Sequence, residues 1–422
     1  MPKFVSLALA CLLASVASSF AGEPLMRDLI GLNTHTIQFK TNLYQPVTKY
    51  LRNYHPIEWD FGKDTSRPQT FPSAANKVNW DTQVYGPWRK AGYHAHASLM
   101  FDNLKTNDWK DMERDAEVYG RELAKALGPS STKLIEAAEV GNEPGLYDDA
   151  AYRKLFQAMA KGLREGDPKL RIATCNVEEG KSGRYHKSIE CVKGLESLYD
   201  IINVHSYAEL KPWPTWERSY PEDERLKYLK TIQEVIDWRN KNAPGKEIWL
   251  TEFGYDSSTK KPEPTGDFAK WMGVTDTQQA QWIVRSFLIF ASMDIDRAYL
   301  YWFNDADKPS VHASAGLTRN YQPKPSFHAV AWLMKSLGDY RYVKTQQQNA
   351  DAWAMEFVHE TDAKRKVLAV WKPTGEAATY KLKVTPEKCE RMPLSESSAE
   401  SVMAKDGKIT INESPVFVWF RE

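Results

Sequence analysis

Two short stretches carry the residue types that proton transfer and nucleophilic attack require. Glu139-Val140-Gly141-Asn142-Glu143-Pro144 closes one apolar run, and Ile248-Trp249-Leu250-Thr251-Glu252-Phe253-Gly254 closes another. In each, a carboxylate stands where apolar residues give way to a turn, and the proline after Glu143 fixes that turn. A protonated carboxyl can hand a proton to a departing oxygen, and an ionised one can attack an electron-poor carbon. Both roles are open to Glu only if the surroundings pull the two pKa values apart. Asn142 offers an amide hydrogen to a substrate hydroxyl. Taken singly, each stretch also reads as an ordinary turn, and Glu252 as a carboxylate bonded to backbone amides. Their chemistry depends on elements that bring them together.

Those elements follow from periodicity. Eight short apolar runs read as strands: Asp28–His35, Tyr50–Tyr54, His94–Leu99, Ile135–Asn142, Arg171–Val177, Asp200–Tyr207, Ile248–Phe253 and Ala298–Phe303. Between them, Asp108–Leu127, Asp149–Arg164, Glu222–Asn240 and Thr277–Ser292 place apolar residues at helical spacing. Asp148 or Asp149 is the expected N-cap of the second of these helices, and Asp276 or Thr277 that of the fourth. Eight strand–helix units over residues 22–338 predict an α/β fold, a (β/α)8 barrel. A doubly wound open sheet is the alternative, but its glycine fingerprint is missing from the first turn. Residues 339–422 change texture. Asp351–His359, Lys366–Lys372, Ala378–Val384 and Lys408–Phe420 alternate with polar turns and predict a small antiparallel β-sandwich domain.

In a barrel, the ends of the fourth and seventh strands face one cavity. Two carboxylates there, about 5–5.5 Å apart, are what a retaining glycosidase uses. His205 points to the same mouth if side chains alternate, and His96 fits a cavity position better than His94, being in phase with Ser98. The loop after strand six, ELKPWPTWERSYPEDE, carries Trp213 and Trp216. Each is read as a ring on which a sugar stacks or as a pin holding the loop to the rim. Trp59, Asn304, Asp305 and His312 fall on the same expected face. A set of His35, His94, His96 and His205 would instead suggest a metal-dependent barrel hydrolase. It lacks matching ligands at the expected positions, so no metal is assigned.

The motif GNEP on strand four with TEFG on strand seven resembles glycoside hydrolase clan A, and most of all its family 5 and family 39 type. The resemblance spans residues 28 to 337. It implies retention by double displacement, with Glu143 as acid/base and Glu252 as nucleophile. It further implies that Arg52 lies beside the nucleophile, Asn142 binds the sugar 2-hydroxyl, Tyr207 hydrogen-bonds the nucleophile, and Trp302 is the platform under the cleaved sugar. Read from burial alone, Arg52 is also an interior ion-pair partner and Trp302 a core residue. Protonation and positioning supply the chemistry, so no cofactor is called for. A non-catalytic carbohydrate-binding barrel remains the alternative.

The rest of the chain sets the context. Lys+Arg number 56 and Asp+Glu 55, and no like-charge block occurs, which argues against nucleic acid or an acidic membrane surface as partner. Lys3, the apolar run Phe4–Ala17 and Ser19-Phe20-Ala21 form an expected secretory signal over residues 1–21, hence a secreted or periplasmic protein. Cys11 sits inside that run rather than after it, unlike a lipid-anchoring cysteine. Cys175, Cys191 and Cys389 remain after processing, an odd number, with a Cys175–Cys191 bridge compatible with export. Nothing in the sequence sets the oligomeric state.

Overall fold

The structure, a computed structural model, describes residues 23–422; the expected export signal and Cys11 lie outside them. Eight parallel strands close on themselves: β1 (Ile30–Thr34), β2 (Tyr50–Pro56), β3 (His94–Met100), β4 (Ala137–Val140), β5 (Arg171–Glu178), β6 (Ile201–His205), β7 (Glu247–Phe253) and β8 (Arg297–Leu300). β8 pairs with β1, and β4 with β5, so the ring has no edge. The barrel is therefore closed, not an open doubly wound sheet.

Full outer helices stand behind only some strands: α1 (Met112–Leu127), α2 (Asp149–Gly166), α3 (Tyr228–Asn242), α4 (Asp276–Phe290) and α5 (Pro325–Leu337). β1, β2 and β5 are followed by short helical turns such as Thr41–Tyr44, Trp80–Tyr85 and Ile189–Val192. Asp148 caps α2 through the Ala151 N–H. The cap of α4 is Thr275, one residue before the expected pair, because a reciprocal box with Gln278 satisfies two backbone donors there. Glu222, expected to open α3, is not helical. Its carboxylate accepts from the Arg285 Nε at 2.8 Å and from the Trp371 indole N–H, tying the loop before α3 to the C-terminal domain.

The barrel interior is filled in layers. Ala137, Ala173, Ile201, Trp249 and Tyr299 form one of them, and Gly31 on β1 makes room for it. A Cβ on Gly31 would stand 2.4 Å from Cδ1 of Tyr299, well inside van der Waals contact. Gly31→Ala must displace either the ring or β1, and it is expected to cost about 1–3 kcal/mol, the usual range for overpacking. The check is chemical denaturation, with a lowered midpoint and an unchanged m-value.

The C-terminal domain comprises β9 (Tyr340–Gln348), β10 (Trp353–His359), β11 (Asp362–Trp371), β12 (Ala378–Lys381), β13 (Lys388–Arg391), β14 (Glu400–Ser401), β15 (Lys408–Ile411) and β16 (Val416–Arg421). They form a six-stranded antiparallel sheet, β9-β10-β11-β16-β13-β14, and a β12–β15 pair. Period-2 alternation divides the large sheet's side chains between two cores. Met355, Phe357, Val367, Ala369 and Phe417 join the barrel core, while Ala354, Leu368, Val370, Val418 and Phe420 pack with Tyr380, Ile409 and Ile411 of the small pair. The run expected as one strand over Lys408–Phe420 is two, broken at Asn412–Pro415, where Asn412 Oδ1 accepts the Ser414 N–H and closes a turn. Among the described residues no helix is long and apolar enough to cross a membrane. Cys175, Cys191 and Cys389 are buried free thiols, so the Cys175–Cys191 bridge does not form in this structure.

Candidate active site

Glu252 reaches the barrel mouth through an irregularity in β7. The register of β7 against both β6 and β8 slips just after Leu250, as a bulge that re-aims the following side chains. The displaced Thr251 carbonyl accepts the Asn33 Nδ2–H at 2.8 Å, which pins the bulge from β1. Glu143 arrives differently. Gly141, with φ +89°, turns the chain at the end of β4 with the Phe101 ring against it, where a Cβ would meet Cζ at 2.7 Å. The Asn142 carbonyl then accepts the Asn176 N–H at 3.2 Å. Asn142 and Glu143 are thereby held in a loop beyond β4, not on the strand itself.

These two routes bring the carboxylates together. One oxygen of Glu143, one of Glu252 and a ring nitrogen of His205 all lie within 4.8 Å of one another. Among the described residues no other three His, Cys, Asp or Glu side chains come so close. His205 is already hydrogen-bonded to Glu143 and stands 3.7 Å from Glu252, and the Arg52 guanidinium lies beside them, a cation that opposes a second one. The four histidines that would make a metal-dependent hydrolase do not converge. His94, at the start of β3, pairs with Glu136; His96 lies inside the barrel; only His35 and His205 reach the mouth.

The two carboxylates differ in surroundings. Glu252 is almost fully buried. Its Oε1 accepts from the Tyr54 hydroxyl at 2.7 Å and Arg52 Nη1 at 3.2 Å, and its Oε2 from the Tyr207 hydroxyl at 2.9 Å. Burial alone would raise its pKa; the His205 and Arg52 charges and the two phenol hydrogen bonds outweigh that and lower it to about 2. Glu143 is more open, its side chain 26% exposed, and its Oε1 meets His205 Nδ1 at 3.1 Å. For His205, burial works against the cation, but Glu252 and Glu143 prevail and raise its pKa.

Behind them stands Arg52, fully buried. Its Nε and Nη2 grip Glu139 at 2.8 and 2.7 Å, while Nη1 meets Asn33 at 2.9 Å and Nη2 meets Asn142 Oδ1 at 2.7 Å. Because Asn142 accepts through Oδ1, its NH2 group is left to donate. Tyr54, Asn33, Ser98, Glu139 and, through Asn142, Asp102 belong to this network, and the sequence assigns none of them a site role. Tyr54 has a legible signal, since it sits two positions from Arg52 along one inward-facing row of β2.

The remaining expected residues divide. Tyr207 lies past the end of β6 with Arg218 over its ring at 5.0 Å and the exposed His312 edge-on at 4.9 Å. Trp302 stacks on Tyr301 at 5.3 Å and meets His35 edge-on at 5.5 Å, half-buried at the mouth. His35 itself stacks on Tyr54 at 5.1 Å, and burial lowers its pKa to about 4. His96 is not at the mouth. It is buried against Trp249 and Tyr299, with its nearest carboxylate, Glu139, at 3.4 Å. Burial, then the nearby Arg52, keeps it neutral. Its phase on β3 is inward, but one layer too deep. Trp213 is 66% exposed. Trp216 packs on Phe268 at 4.9 Å, and the Met272 N–H bonds the Thr215 carbonyl, joining the loops after β6 and β7. Trp59 stacks on Trp80 at the rim. Asn304 and Asp305 instead brace the loop after β8, Asp305 against the buried Lys324.

No family model and no curated protein matches the chain. Solved structures do. A family 39 glycoside hydrolase from Bacteroides cellulosilyticus WH2 superposes with a TM-score of 0.71 at 16% identity, covering 95% of this chain and 81% of that one. A glucosidase from Croceicoccus marinus gives 0.61 at 14% identity, over 95% and 98%. A family 51 α-L-arabinofuranosidase from Bifidobacterium longum gives 0.61 at 13%, over 95% and 97%. The chain has the fold of clan A glycoside hydrolases. At such identities the likeness speaks for barrel and appended sheet together, and residue roles rest on this chain's own geometry.

Proposed function

We propose that the chain is an exported retaining glycoside hydrolase acting on β-linked sugars, with Glu252 as nucleophile and Glu143 as acid/base. The observation that carries this reading is the asymmetry of two carboxylates whose nearest oxygens lie within 4.8 Å, one buried and held ionised, the other half open. Glu252 attacks the anomeric carbon as the bond to the leaving oxygen breaks, and Glu143 gives that oxygen its proton. The glycosyl ester on Glu252 is then cleaved by water, whose proton returns to Glu143. Asn142, whose NH2 group has a second hydrogen to give beside the one toward Asp102, binds the 2-hydroxyl. Tyr207 and Tyr54 orient Glu252, His205 orients Glu143, and Trp302 with Tyr301 supplies an aromatic wall for the sugar. Trp213, exposed, and Trp216 with Phe268 form a rim against which further sugar units of a polysaccharide or oligosaccharide stack. Export rests on the N-terminal apolar run.

The test is hydrolysis of a panel of aryl β-glycosides and polysaccharides, with the first-formed anomer followed by proton NMR. A β product that mutarotates to α supports the reading. An α product first would exclude a glycosyl-enzyme intermediate, and activity lost to a chelator would favour metal-dependent hydrolysis instead. Binding without turnover across the panel would favour a carbohydrate-binding barrel.

A further inference from the structure

The mechanism above leaves one carboxyl at the mouth unused. Asp102 follows β3 by two residues, and the turn at Gly141 that packs on Phe101 sets the Asn142–Glu143 segment directly against it. The Asn142 amide and the Glu143 backbone N–H face the Asp102 carboxyl, while its Oδ1 is buried with no hydrogen-bond partner in the structure. An oxygen in that state is costly to keep, because its hydration is lost and nothing replaces it.

The neighbours give it a use. Glu143 takes its hydrogen bond from His205 on the β6 side. A cationic imidazole there favours the ionised carboxylate, whereas the first chemical step needs Glu143 protonated. A negative group on the β3 side acts in the opposite sense. We propose, on the footing of the glycosidase reading, that Asp102 is a positioning residue for the acid/base, seating Asn142 and Glu143 and holding a proton within the Asp102–Glu143 carboxyl pair until substrate arrives.

The charges around Asp102 agree. Burial, and after it the Glu143 charge, raises its pKa to about 6; the Asn142 and Glu143 hydrogen bonds oppose this, and Glu139 adds to it. The Tyr147 phenol, on the segment after Glu143, lies close enough to feel Asp102 as well. The Glu143 charge is thus one of the forces that hold the Asp102 proton. When Glu252 becomes an uncharged ester, the pair feels one negative charge fewer, which eases the release of the proton as Glu143 turns from acid to base.

Two measurements test this. In the first, which needs no substrate, carbon-13 carboxyl NMR follows Asp102 in the full chain, with Asp102→Asn used to assign its signal. It is expected to titrate near pH 6 in the wild type and lower in Glu143→Gln; an Asp102 midpoint that Glu143→Gln leaves in place overturns the pairing. In the second, Asp102→Asn, checked for folding by circular dichroism, is assayed on aryl β-glycosides with poor and good leaving groups. The basic limb of kcat/KM is expected to move down by about one pH unit with the poor leaving group, a loss of about tenfold at the old limb. The dinitrophenyl glycoside, which departs without a proton, should lose little. Equal losses on both, with an unmoved limb, would make Asp102 merely structural and overturn the proposal. If the wild type cleaves no aryl glycoside, the glycosidase reading fails on its own, and the NMR titration still decides the carboxyl pair.

Discussion

Glu252→Ala is expected to lower kcat on aryl β-glycosides by roughly 10^4-fold or more, the scale on which nucleophile removal acts in hydrolases that form a covalent intermediate. The loss should appear in kcat and kcat/KM together, since the covalent bond to Glu252 is made only as the transition state forms. Azide entering the space left by the carboxylate should restore turnover and yield an α-glycosyl azide, because a single displacement inverts the anomeric carbon. For Glu143→Ala the same reagent should yield the β-azide from the glycosyl-enzyme, so the pair of products separates the roles. A pH profile adds an independent check. Glu252 titrates at about 2, so loss of nucleophile on the acid side should come well below the ordinary carboxylate range. Its stabilising contribution has the same sign: present above the ordinary carboxylate pKa, and lost as pH falls through about 2. If Glu252→Ala keeps wild-type activity, or gives no azide product while Glu143→Ala does, another group is the nucleophile.

How much of this was legible in the sequence depends on range. The strand–helix alternation is local and periodic, and it led to a closed barrel with eight strands in the expected order. Glu143 and Glu252 were visible because each ends an apolar run, and a barrel puts such ends at one mouth. What was lost lies in features with no local periodicity. The β7 bulge that aims Glu252 cannot be seen in Ile248–Phe253, since it is defined by hydrogen-bond register against β6 and β8. His96 was placed by phase, and phase gives the side of a strand without giving depth along the barrel axis. The strand β9 has no apolar signal because YRYVKTQQQ is polar: it is an edge strand with much of its surface in solvent. Asp102 carries no motif at all, and its place comes from the turn that ends the neighbouring strand β4. Trp302, read as the platform with core as the alternative, sits half-buried beside Tyr301, and neither reading alone describes it.

Arg52→Met separates what holds the site together from what performs the reaction. The guanidinium is fully buried and bonded to two carboxylates, doubly to Glu139 and singly to Glu252. Removing it leaves both negative charges in a water-poor interior without their guanidinium, Glu139 keeping the Ser98 hydroxyl and Glu252 the Tyr54 and Tyr207 hydroxyls. The expected loss is about 3–5 kcal/mol of stability, the range for breaking one side of a buried ion pair, read by chemical denaturation at neutral pH. Methionine fills comparable volume, so little of that loss comes from a cavity. Part of it should return in Arg52→Met/Glu139→Gln, where only one buried charge stays unpaired. Activity should not return. Without Arg52 the Glu252 carboxylate loses one of the forces holding its pKa down, the acid limb of kcat/KM moves up in pH, and Asn142 loses the donor that fixes its Oδ1. Arg52→Lys should fall between the two, because an ammonium supplies the charge but cannot span Glu139, Asn142 and Glu252 as a planar fork does. A variant as stable as the wild type would mean that the Arg52 contacts balance their own desolvation. A double variant recovering both stability and turnover would mean that Arg52 serves folding alone, leaving Tyr54, Tyr207 and His205 to keep Glu252 ionised.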